Sequence, residues 1–205
     1  EKKGKHFRKP IEYFSEVKGV QAAVFSPDKH RIYLVMEASD GIGGLDIYYQ
    51  ERDIYGNWST PIIDSILSTP YNDHYPSFGP DGTFYYASQG HNSMGGYDIF
   101  SAKYNKITKE FSKITNMGYP LNTTRDDMSI SFSGTNRYAY ISSFREGGFG
   151  DLDIYRVIFK DVDPVFTVIK GTILDQDSIP FTEVVQKMND HIDTLNFPIN
   201  HKYKD

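Results

Sequence analysis

The sequence predicts an all-β chain assembled from repeated units, and three observations carry that prediction. One phrase recurs as Gly43-Gly44-Leu45-Asp46-Ile47-Tyr48, Gly95-Gly96-Tyr97-Asp98-Ile99-Phe100 and Gly150-Asp151-Leu152-Asp153-Ile154-Tyr155. Its aspartates lie 98 − 46 = 52 and 153 − 98 = 55 residues apart. A fixed period of this size marks a scaffold in which each repeat is one supersecondary unit. Composition agrees: 16 Tyr and 14 Phe stand against a single Trp, a balance suited to half-buried strands, and helical apolar runs are scarce.

Within each repeat the elements follow in a set order. A short strand ends in phenylalanine and runs into a turn: Phe25-Ser26-Pro27-Asp28, Phe78-Gly79-Pro80-Asp81-Gly82 and Phe132-Ser133-Gly134. Proline presets φ, aspartate caps its own backbone and glycine accepts positive φ, so these are turn signals. An aromatic-rich second strand follows, through Ile32-Tyr33-Leu34-Val35, Phe84-Tyr85-Tyr86 and Tyr138-Ala139-Tyr140-Ile141. Next comes a polar, Gly-rich loop (39–44, 88–96, 142–150), then the Asp-Ile-aromatic strand. A fourth strand is expected around Trp58-Ser59 and Phe111-Ser112, with Phe14-Ser15 as the counterpart before the first full repeat. Four short strands per period of about fifty residues is the build of a propeller blade. Phe25, Phe78 and Phe132 are expected at equivalent interior positions.

Residues 1–10 read as a basic linker, since Lys2, Lys3, Lys5, Arg8 and Lys9 crowd this stretch. Residues 11–163 hold the repeats. Over 164–205 the pattern changes to an alternating strand (165–175), a turn at Asp177-Ser178-Ile179-Pro180 and an aperiodic tail, the start of a small β-sandwich-like module. The net charge of −5 supplies no basic field for nucleic acid. With no cysteine, disulfides, thiolate metal sites and a Cys nucleophile are excluded, as is a lipid-modified Cys within this segment. No apolar run approaches the roughly 18 residues of a spanning helix.

The aromatic turn-and-strand segments, the Gly-Gly-x-Asp-Ile-aromatic phrase, Asn57-Trp58-Ser59 and Leu67-Ser68-Thr69-Pro70-Tyr71-Asn72-Asp73 together resemble PD40 (WD40-like, TolB-type) β-propeller repeats. Their form is similar to that in Bacteroidota cell-envelope proteins of the OmpA family. There a propeller precedes a carboxypeptidase-regulatory-like domain, whose opening strand Val168 to Asp175 resembles, and a peptidoglycan-binding domain, which has no counterpart here. The resemblance covers residues 11–160. It implies a non-catalytic scaffold or accessory subunit, without cofactor, at the periplasmic face of the outer membrane. Its partners would be outer-membrane or periplasmic proteins of a secretion or assembly complex, with peptidoglycan reached through a domain outside this chain. The alternatives are a glycan-binding or glycan-processing propeller and a TolB-like periplasmic shuttle.

Other constellations carry less. Asp46, Asp98 and Asp153 could be calcium ligands, but calcium wants six to eight oxygens and each loop offers one or two carboxylates. The expected role is structural, each Asp accepting backbone N–H bonds and pinning its Gly-rich turn (Gly43, Gly44, Gly95, Gly96). His74 and His91 lack zinc-ligand spacing, and Asp126, Asp127 and Glu146 fall in unlike loops rather than forming a glycosidase pair. No Gly-x-Ser-x-Gly elbow or phosphate loop appears. Asn57 and Asn122 head formal N-glycosylation motifs. Ser65, Ser178 and Thr194, each in an Asp-Ser/Thr-aliphatic setting, resemble O-glycosylation sites of exported Bacteroidota proteins. The loops after Ser39, Ser88 and Ser142 are the expected contact surface.

Overall fold

A computed structural model describes residues 17–134 and 136–162. The basic linker, Phe14-Ser15, the 164–205 module, Ser178 and Thr194 lie outside the described residues. The described chain is all-β, with eleven strands in three small antiparallel sheets. The first sheet holds β1 (Ala22–Phe25), β2 (Arg31–Met36), β3 (Asp46–Glu51) and β4 (Ile62–Ile63) in sequential order. The second repeats it with β5 (Asp73–Phe78), β6 (Thr83–Ser88), β7 (Asp98–Lys103) and β8 (Thr115–Asn116). The third has β9 (Asp127–Phe132), β10 (Tyr138–Ser143) and β11 (Asp153–Ile158).

Equivalent strands keep one register: Met36 pairs with Asp46, Ser88 with Asp98 and Ser143 with Asp153. This aligns Tyr33 with Tyr85 and Tyr140, and Ile47 with Ile99 and Ile154. Turn chemistry follows the expectation: Lys29 (φ 60°) and Gly82 (φ 82°) take the left-handed position after Pro-Asp.

The fourth strands differ from expectation. Trp58 and Phe111 make single bridges to Arg52 and Tyr104, and continuous pairing resumes only at Ile62 and Thr115. Both rings turn onto other aromatics instead, Trp58 at 6.0 Å from Phe25 and Phe111 at 5.0 Å from Phe84. Pro61, with no N–H to donate, also interrupts the first ladder.

Because side chains alternate across a strand, each sheet has two faces, and the sheets layer front to back. Tyr33, Val35 and Ile47 on the forward face of the first sheet meet Phe84, Tyr86 and Phe100 on the back of the second. Tyr85 and Ile99 on the forward face of the second meet Ile130, Ala139 and Ile141 of the third. The back of the first sheet (Ile32, Leu34, Met36, Tyr48) lies under Val17, Val20 and Trp58. Burying each such side chain contributes roughly 1.5–3 kcal/mol. The first strand of each later sheet lies against the sheet before it.

Of the three equivalent phenylalanines, Phe78 and Phe132 pack on the tyrosine of the preceding sheet, Tyr33 at 5.9 Å and Tyr85 at 4.8 Å. Phe25 departs from the interior position expected of it. It is 40% exposed and rests on Trp58, since no sheet precedes β1 among the described residues.

Candidate functional site

The repeated aspartates hold the loops that enter β3, β7 and β11. Asp46 Oδ2 accepts from the N–H of Ile42 (2.8 Å) and Gly43 (3.1 Å). Asp98 Oδ2 accepts from Met94 N–H (2.7 Å) and Asn116 Nδ2 (2.8 Å). Asp153 Oδ2 accepts from Phe149 N–H at 2.7 Å. In every repeat the donor four residues before the aspartate is bonded, as a carboxylate taken out of water requires. Asp46 and Asp98 are fully buried, whereas Asp153 is half-buried.

The glycines serve a different contact. A Cβ on Gly43 would come within 2.2 Å of Tyr71 O and 2.5 Å of Thr69 O, and one on Gly95 within 2.3 Å of Arg125 O and 2.7 Å of Thr123 O. Those carbonyls belong to the segments leading into β5 and β9, the first strands of the following sheets. A Cβ on Gly44 or Gly96 would meet Asn72 Oδ1 at 2.4 Å or Asp126 Oδ1 at 2.1 Å. The same two oxygens accept from Leu45 N–H (2.9 Å) and Tyr97 N–H (2.8 Å). Asp73 N–H and Asp127 N–H return bonds to Leu45 O and Tyr97 O, each at 2.7 Å. The phrase therefore fastens one sheet to the next, with glycine where the two backbones come too close for a side chain.

The receiving segments form a second repeated motif, of which the sequence shows the first copy (Leu67 to Asp73) within the resemblance but not its recurrence at Asn122 to Asp127. Thr69 donates both its N–H (2.6 Å) and its hydroxyl (3.0 Å) to Asp73 Oδ2, and Thr123 does the same to Asp127 (2.6 and 2.9 Å). Ser68 and Asn122, just ahead, each bond both main-chain groups of the preceding sheet's isoleucine, Ile47 or Ile99. The signal was present as Ser/Asn-Thr-x-x-Asn/Asp-Asp at an interval of 123 − 69 = 54 residues. Burial pushes the Asp73 carboxyl above its ordinary range, with Ser88 and Thr69 donors pulling the other way. In the third sheet Arg145 adds a tie, reaching Leu121 O at 2.7 Å and Ser143 Oγ at 2.9 Å.

The three loops also present one side chain each at the same end of their sheets. Ile42 is 44% exposed, Met94 46% exposed and Phe149 fully exposed. These are the residues whose N–H groups the repeated aspartates hold. Each loop thus fixes the backbone beneath an outward apolar side chain.

The remaining candidates are dispersed. His74 lies within β5, where burial lowers its pKa, and His91 Nε2 sits 3.2 Å from Leu67 O. Asp127 is buried and bonded to Thr123, while Asp126 bonds Tyr97. Among the described residues no group of three or more His, Asp or Glu is placed to hold a metal. Asn122 is fully buried, an unsuitable glycan acceptor, whereas Ser65 is exposed in a turn that Asp64 caps through Ile66 and Leu67 N–H. The chain matches no family model, no curated protein and no solved structure.

Proposed function

We propose that the chain is a non-catalytic scaffold of the PD40 β-propeller type, and that it docks a protein partner through the loop ends bearing Ile42, Met94 and Phe149. One observation carries this reading: three successive loops hold an exposed apolar residue on a backbone pinned by a buried or half-buried aspartate. Exposed apolar side chains on rigid, preorganised loops lower the ordering cost of association. The repeated carboxylate of each loop is directed at donors within the fold, chiefly main-chain N–H groups, which supports a structural role for the aspartates. The sequence resemblance supplies the setting, the periplasmic face of the outer membrane, and the partner class, subunits of a secretion or assembly complex.

Affinity recovery from envelope extracts tests the reading. The chain is expected to bring down a defined partner. The combined Ile42→Ser, Met94→Ser and Phe149→Ser variant is expected to lose it without a change in melting temperature. Recovery of a free monomer, or undiminished capture by the triple variant, overturns the proposal. A glycan array run alongside discriminates the alternative, since saturable glycan binding would favour a lectin-like module.

A further inference from the structure

The two sheet junctions share one backbone arrangement at their loop ends but carry different side chains there. Gln89 N–H donates to Asn72 O (3.0 Å) at the first junction, and Phe144 N–H donates to Asp126 O (2.9 Å) at the second. Asp73 pairs with Ser88, and Asp127 with Ser143, so His74 corresponds to Met128. Tyr97 and Leu152, each just before a repeated aspartate, correspond as well. At the first junction three rings pack together, His74 at 4.0 Å from Tyr75 and Tyr75 at 6.1 Å from Tyr97. Asn72 Nδ2 also donates to Gln89 Oε1 at 3.1 Å. At the second, Met128, Phe144 and Leu152 replace His74, Gln89 and Tyr97, and an open cleft of about 540 Å³ lies there.

The cleft joins an apolar lining to carboxylates that the fold leaves uncompensated. Met128, Phe144 and Leu152 line it together with Arg125, Asp126 and Asp151. Phe144 cannot answer Asp126 as Gln89 answers Asn72. Among the described residues Asp126 keeps one side-chain bond, from Tyr97 N–H at 2.8 Å, and Asp151 makes none. Arg125 holds its guanidinium 5.2 Å from the centre of the Phe144 ring, so that ring face is taken. The surrounding loops are acidic, with exposed Glu37, Asp40 and Glu146. Arg145, the one Lys or Arg in the three loops, is tied to Leu121 O and Ser143 Oγ.

We propose that this cleft receives a lysine side chain of the protein partner that docks on the loop ends. The aliphatic stem lies along Met128, Phe144 and Leu152, and the ammonium meets Asp126 and Asp151, an amphipathic side chain in a site with the matching division. A compact ammonium suits the cleft better than a second guanidinium, which would need the ring face that Arg125 already covers. Gly96 and Asp151 place the cleft beside the loops that carry Met94 and Phe149. The partner therefore presents a lysine flanked by apolar contacts. The inference rests on the loop-end docking for its partner, while lysine binding itself is measurable without that partner.

An NMR titration of the isotope-labelled protein with Nα-acetyl-lysine methylamide at low salt tests the site. Nα-acetyl-norleucine methylamide, with a similar stem and no ammonium, is the matched control. Saturable shifts are expected at the amides of Gly96, Asp126, Asp151 and Leu152 with the lysine probe. Asp151→Asn alters an exposed carboxylate that bonds nothing in the fold, and is expected to weaken binding roughly two- to fivefold. Met128→His combined with Leu152→Tyr installs the side chains of the first junction and is expected to abolish it. Equal binding of the norleucine probe, unchanged affinity in Asp151→Asn, or no shifts at the cleft overturns the inference. The two readings fail separately. A captured partner without lysine shifts strikes this inference alone, and lysine shifts without a captured partner strike the loop-end docking alone.

Discussion

At the residue scale, the roles of the repeated aspartates and of the turns are separable by substitution. Asp98→Ala leaves Met94 N–H and Asn116 Nδ2 without their buried acceptor. The expected loss is roughly 1–3 kcal/mol in urea unfolding, and an unchanged midpoint would contradict the pinning role. Lys29 pays for a left-handed conformation (φ 60°) that glycine adopts in the equivalent turn at Gly82. Lys29→Gly is expected to raise stability by about 0.5–1 kcal/mol, the steric relief exceeding the added chain entropy. Asp73 gives a pH signature. Burial holds its folded pKa above the ordinary 3.8, so the stability tied to its protonated form is fully present below that value. It is lost as pH rises through the raised folded pKa. Asp73→Asn keeps an acceptor for Thr69 and removes this dependence. The variant should therefore gain on the wild type as pH climbs through that window, measured by thermal melts in matched buffers; a constant difference would contradict the assignment.

At the element scale, strand order, the Pro-Asp turns and the role of the aspartates were legible because their causes are local. The Phe84 strand alternates onto two cores, and the turn residues sit next to the bend they make. The reason for the Gly-Gly pair was not legible. It depends on Asn72 and Asp126, which lie 27 and 29 residues beyond the N–H groups they bind, and a single sequence does not show which backbones approach closely. The Thr…Asp leaders are local, each bond spanning four residues, but their copies (Ser-Thr-Pro-Tyr-Asn-Asp and Asn-Thr-Thr-Arg-Asp-Asp) share only Thr and the last Asp, which hid the repeat. The misplaced fourth strands have a related cause, since Trp58 and Phe111 look like strand residues but are drawn to rings from other strands. Phe84, fully buried among Tyr33, Phe78 and Phe111, tests the layering. Phe84→Ala is expected to cost about 3–5 kcal/mol, and a loss under 1 kcal/mol would mean the first two sheets do not share a core.

At the scale of the whole molecule, the three sheets form a directional array. Every internal junction uses the same parts: a forward Tyr and Ile, a pinned Gly-Gly loop, and an incoming Thr…Asp leader with its phenylalanine. The third sheet carries the forward parts exposed. The repeated phrase thus belongs to assembly of the fold, and the proposed docking surface consists of the side chains it leaves outside at the loop ends, Ile42, Met94 and Phe149. The most direct test is the melting temperature of Gly43→Ala, Gly95→Ala and Gly150→Ala measured side by side. None of these glycines has a positive φ, so only the approach of the next sheet distinguishes them. The first two variants should fall by several degrees, about 2–4 °C per kcal/mol lost, while Gly150→Ala stays within a degree of the wild type. Equal losses at all three positions, or no loss at Gly43 and Gly95, would contradict the account of the phrase as a sheet-to-sheet fastening.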